Sequence, residues 1–310
     1  MPPWFWLILY CVAIPVVSLI GGWIPLLVRL THRRMQIAIS FVSGVMLGVA
    51  LLHLLPHALL EGQQATGSLD HALPTVLMWL LGGVLTMFFI ERFFAFHQHD
   101  APHHETGHDA PCDISDGAHG HAHQLSWGGA AVGLALHGAI EGLALAAAVA
   151  AETAPGRFVP LVGISTFLVI FLHKPFDSLT VGTLMAAGGY SAKSRHVVNV
   201  ALALTVPAGA GLFYLGFGAT SGGSLALAIA LAFSAGTFLC ISMSDLLPEL
   251  HFHQHDRILL SIALLLGLAV AWLASAVEHT GHNHAPKNHS SIPMQSRINA
   301  YSVAWLSRKS

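Results

Sequence analysis

His137 and Glu141 lie four residues apart in LHGAIEGLALAAAVAAE, residues 136–152, a stretch otherwise made almost entirely of small apolar residues. Four residues is about one helical turn, so the two side chains share a face. FLHKPFDSL repeats the arrangement with His173 and Asp177. Side by side, the two segments would offer two imidazole nitrogens and two carboxylate oxygens, a donor set that suits Zn²⁺ and also Fe²⁺, Mn²⁺ or Cd²⁺. It lacks thiolate, so it should hold a cation loosely enough to release it. A purely structural polar network is the competing reading. Ionisable groups at membrane depth are costly and rarely placed there without use, which weighs against that reading for two such pairs.

The elements that must position these pairs are membrane helices. Of the 310 residues, 54% are hydrophobic and only 9% charged, against about a quarter charged in a soluble domain. The apolar residues form eight blocks, at about 4–28, 36–60, 73–96, 127–151, 158–187, 197–219, 224–250 and 257–277, each long enough to span as a helix. An all-α membrane domain is therefore expected over 1–278, with a polar tail at 279–310. One connection is long: residues 97–126 are polar, punctuated by Gly and Pro, and carry His97, His99, His103, His104, His108, His119, His121 and His123. This reads as a disordered segment rich in weak metal ligands. The first block lacks a basic leader and reads as a membrane helix. Cys11, Cys112 and Cys240 are scattered and form no CxxC motif. There is no basic stripe or nucleic-acid motif. The partners expected are the lipid bilayer and divalent metal ions, with a homodimer compatible.

Basic residues in alternate loops set the orientation. Among the loops, Arg29, Arg33, Arg34, Arg92, Lys193, Arg195 and Arg257 fall on one side and only Arg157 on the other; Lys287, Arg297, Arg308 and Lys309 of the tail count against this sidedness but lie mostly distant from the last block. Both termini are then outside the cytoplasm, of a plasma or inner membrane, and the histidine segment is inside. On this topology His53, His57 and Glu61 of the second block line an external mouth, with Met46 deeper on the same face. Asp245, Glu249, His251, His253 and His255 cluster on the cytoplasmic side, where Glu91 closes the third block. Pro175, between His173 and Asp177, should free carbonyls near the site. Lys174 can pair with Asp177 or with Glu141. It is either a neutralising salt bridge or a built-in cation where a second metal would otherwise sit, and both readings stay open.

HGAIEGLA at 137–144 and His173-Lys174, with GVMLGVALLHLLP and GTFLCISMSDLLPEL, make the chain resemble the ZIP family of divalent-metal transporters across almost all of 1–278. The resemblance implies central helices four and five flanked by inverted repeats of helices one to three and six to eight. It implies a transport site of His137, Glu141, His173 and Asp177, a contribution from Met46, a pore-lining His53 above it and an acidic exit position at Glu249. Zn²⁺ would be the transported substrate, and the chain not an enzyme. Gly138 stands where many members have Asn, and Lys174 where many have an acid; those positions build a second metal site in binuclear members, so one central metal is expected here. The proline also falls one place earlier than in the commoner His-Glu-x-Pro pattern. The rivals are a membrane metal sensor and an intramembrane metalloenzyme using the same ligands to activate water; no HExxH motif supports the latter.

Overall fold

The computed structural model describes residues 3–27, 32–95, 119–153, 161–217, 225–252 and 257–280. Within them the regular structure is helical: α1 Pro3–Leu27, α2 His32–Val49, α3 Leu55–Thr66, α4 Leu69–Ile90, α5 His119–Glu152, α6 Ile164–Ala187, α7 Ala192–Ala203, α8 Thr205–Phe217, α9 Leu225–Phe252 and α10 Arg257–Thr280. A π-helical turn, Ala50–Leu54, joins α2 to α3, and a second, Glu91–Ala95, extends α4. The described residues contain eight helical stretches long and apolar enough to cross a membrane, matching the eight blocks. The histidine segment differs at one end: α5 already begins at His119, and the last eight residues of the segment contain no proline to interrupt it. Residues 97–118, Cys112 among them, and the tail from 281 lie outside the described residues.

Prolines explain the irregular places. The sixth span is broken into α7 and α8 at Leu204. Pro207 removes the N–H that would bond the carbonyl of Ala203, the last residue of α7. Pro56 follows the Ala50–Leu54 turn and also withholds a donor. Four residues earlier, the Leu52 carbonyl takes a hydrogen bond from Ser275 Oγ of α10 at 3.0 Å. Between α3 and α4 the chain turns at Gly67, φ 80°, and Ser68 caps α4 by accepting from His71 N at 3.3 Å.

The helices pack in pairs, α2 with α10, α4 with α9, α5 with α8 and α1 with α6. Three of these seams are closed by reciprocal glycines. A Cβ on Gly142 would overlap the Val206 carbonyl of α8, and one on Gly209 the Ala139 carbonyl of α5. Gly83 and Gly236 do the same for α4 and α9, and Gly44 and Gly267 for α2 and α10. Backbone therefore meets backbone, as small residues permit in lipid, where dispersion rather than water expulsion holds helices together. Outward faces remain apolar: Met78, Leu81 and Leu85 on α4, and Leu265, Leu266 and Leu273 on α10 are all exposed. The centre is shared more widely than helices four and five. The apolar stretch of α9 is 72% buried, against 61% in α5 and 44% in α6, so the seventh span is as central as the fourth.

Candidate metal site

α5 and α6 bring His137, Glu141, His173 and Asp177 together, with one ligand atom from each within 4.8 Å of the others. His137 Nε2 lies 2.9 Å from Glu141 Oε1 and 3.8 Å from Asp177 Oδ2. His173 Nε2 faces the same Glu141 oxygen. For a tetrahedral ion with bonds of about 2.05 Å, neighbouring ligand atoms would be ~3.3 Å apart, so these separations bracket the spacing needed. His137, Glu141 and His173 are buried, while the Asp177 side chain is 22% exposed and gives the cluster its open side.

The rings are aimed by neighbours. His173 Nδ1 donates to the Val169 carbonyl at 2.7 Å. With its hydrogen there, the neutral ring turns a lone pair from Nε2 toward Glu141, the tautomer a metal needs. Two acceptors face each other stably only with a proton or a metal ion between them.

Lys174 answers the question its position raised by pairing with both candidates. Its buried ammonium donates to Glu141 Oε2 at 2.6 Å and to Asp177 Oδ2 at 3.1 Å. Gly138 leaves it room, since a Cβ there would meet Thr205 Oγ1 and come 2.9 Å from Lys174 Nζ. Two carboxylates against one ammonium leave the cluster a formal charge of −1 with both imidazoles neutral.

A second group joins His53 and His57 to Glu152, a residue the sequence pattern did not single out as a ligand. His53 Nε2 is 3.1 Å from Glu152 Oε1, and the other carboxylate oxygen accepts from Gly163 N at 2.7 Å. Gly163, at φ 73°, starts α6 against the end of α5. His53, His57 and Glu61 are 1%, 3% and 0% exposed, so they are buried rather than lining an open mouth. The π turn carrying His53 and the Glu152 contact join distant parts of the chain, so periodicity alone could not reveal them.

Met46 is fully buried in the apolar core. On the opposite flank Ser244 Oγ of α9 donates to Glu91 Oε2 at 2.6 Å, which brings Glu91 to the α9 end that carries Asp245. Glu249 lies on α9, but its side chain, like His251, His253 and His255, falls outside the described residues.

The comparisons follow the same helices. The family model for the ZIP Zinc transporter matches residues 5–129 and 129–275. Zinc transporter ZIP9-B of Xenopus laevis is 27% identical over 305 residues, covering 86% of this chain and 94% of its own. Zinc transporter ZIP9 of Micropogonias undulatus is 25% identical over 323 residues, covering 89% and 97%. Zinc transporter ZIP4 of Rattus norvegicus is 26% identical over 302 residues, covering 80% of this chain but 44% of its own length. With eight helical stretches among the described residues long and apolar enough to cross a membrane, and matches across nearly its whole described length, the chain is an integral multi-pass membrane protein and belongs to the ZIP zinc transporter family.

Proposed function

We propose that this protein carries Zn²⁺ into the cytosol through the cluster of His137, Glu141, His173 and Asp177. The observation that carries the reading is the meeting of four N and O ligands from two helices in a buried, polar spot among membrane spans. Their relatives' name, zinc transporter, agrees with the donor set. Fe²⁺, Mn²⁺ and Cd²⁺ suit the same donors. Lys174 fills the place beside Glu141 and Asp177 that a second cation would need, so the central site takes one metal and holds it less tightly than two bare carboxylates would. Metal passes His53 and His57 on the outer side, meets Met46 on the way, and leaves past Asp245 and Glu249 toward the histidines of 97–126. A buffering or feedback role suits that segment. Both termini face outward.

The helix pairing supports an inverted repeat. Exchanging spans one, two and three with six, seven and eight, and four with five, turns the α2–α10 seam into α4–α9 and the α5–α8 seam into α1–α6. The set of pairs is unchanged, as two-fold-related halves about a midplane site require.

The test is ⁶⁵Zn uptake into proteoliposomes. The His137→Ala, His173→Ala protein should lose transport while remaining monodisperse; undiminished uptake sinks the reading. Peptide cleavage or metal-triggered signalling without flux would instead favour an enzyme or a sensor. Acid should weaken zinc binding, because the ligands bind metal as neutral imidazole and ionised carboxylate and protons compete for both. Binding measured from pH 7.5 to pH 5.5, across the ~6.5 reference value of histidine, should fall as pH falls. A flat profile would contradict the ligand assignment.

A further inference from the structure

We propose that His53, His57 and Glu152 form a second divalent-cation site, a waiting station on the way to the central cluster. Two imidazoles and a carboxylate, each offering an atom within 4.8 Å of the others, are a complete three-ligand set with a fourth position left for water. The His53 Nε2 to Glu152 Oε1 separation of 3.1 Å is close to the ~3.3 Å edge of a tetrahedral zinc site. Glu152 is held for this work: Gly163 N fixes one oxygen at 2.7 Å and leaves the other turned to His53.

Its placement gives it a role. Glu152 follows Glu141 by eleven residues on α5, which is ~16 Å along the axis and about three full turns, so both carboxylates stand on nearly one face. α6 agrees independently, since His173 comes ten residues after Gly163, ~15 Å along that helix. Between the two levels lie Met46 and Val49 of α2, Leu145 and Ala148 of α5, and Val169 and Ile170 of α6, all buried in one apolar cluster. The central cluster opens at Asp177, further along α6 from Gly163, on the flank away from this station. The structure is thus packed shut with apolar side chains between the two stations, while the second reaches the surface at Asp177. A cation held at the first waits at a closed gate. This route rests on the transport reading; the binding site itself does not.

The test is the zinc content of purified protein at equilibrium, measured as a difference from wild type so that the histidine segment cancels. Glu152→Gln keeps an acceptor for Gly163 N and removes the charge. Glu152→Gln, His53→Asn, His57→Gln and the triple variant should each lose the same single equivalent, while His137→Ala, His173→Ala loses a different one. Unchanged content, or losses that add up in the triple variant, would overturn the site. Where Glu152→Gln is not monodisperse, His57→Gln reads the same equivalent. In proteoliposomes Glu152→Gln should raise half-saturating zinc about tenfold or more, the scale of weakened ligation, with little change in maximal rate. Lost zinc with unchanged half-saturation would overturn the route. Lost zinc with no flux even in wild type would sink transport and leave the site standing.

Discussion

Glu141→Gln should lower zinc affinity about a hundredfold or more and destabilise the protein at the same time. The affinity loss follows because even the outer partners of a metal site are worth ~10–100-fold, and Glu141 lies at the centre of this one. The destabilisation follows from Lys174. Its ammonium is buried, with Glu141 Oε2 2.6 Å away and Asp177 Oδ2 at 3.1 Å. Breaking a buried ion pair from one side costs about 3–5 kcal/mol, since the remaining charge is left without compensation. Asp177 remains, so the cost should fall toward the lower end. Replacing both partners is a different matter, often neutral or better. Glu141→Gln with Lys174→Met should therefore recover most of the thermal stability and none of the zinc binding. Isothermal titration and thermal unfolding in the same detergent separate the two effects. A double variant as unstable as the single one would show that Lys174 does not depend on Glu141.

Two glycines two positions apart on α8 should respond in opposite directions. A methyl on Gly209 runs into the Ala139 carbonyl, and that backbone is locked against α8 by the reciprocal Gly142. Gly209→Ala should cost about 1–3 kcal/mol, the usual penalty of overpacking, and Gly209→Val more. Because Ala139 sits between His137 and Glu141, the same shift should weaken zinc binding. Gly211 has open space around its would-be Cβ. Gly211→Ala should be neutral or stabilising by up to ~1 kcal/mol, from helix propensity alone. Unfolding midpoints of the pair decide it; equal responses would mean the α5–α8 seam is looser than drawn.

What could be read along the chain and what could not divides at the edge of each helix. The His137–Glu141 and His173–Asp177 pairs are local, one turn apart, and their spacing announced them. Eight apolar blocks announced the spans for the same reason. Glu152 did carry a readable signal, eleven residues and three turns beyond Glu141, but a lone acid at a helix end has many uses. Its meaning needed His53 beside it, and that contact joins spans far apart in sequence. The Ala50–Leu54 π turn alters helix phase without any change in hydrophobic pattern, so periodicity passes over it. Lys174 was visible as an oddity, but only packing could show that it bridges both carboxylates rather than choosing one.

The charge carried by the central cluster also has an electrical meaning. With Lys174 in place and one proton shared between His173 and Glu141, the empty cluster is formally neutral, and a bound divalent ion that displaces that proton makes it +1. In a cycle that moves this cluster across the membrane field, only the loaded form would carry a net charge. A potential negative on the inside would then draw the loaded form inward, at about 2.3 kcal/mol per elementary charge for each 100 mV crossed, and leave the empty one indifferent. A cluster without the lysine would be neutral when loaded, and all of the voltage dependence would fall on its return. One buried ammonium would thus place the work of the membrane potential on the loaded half of the journey.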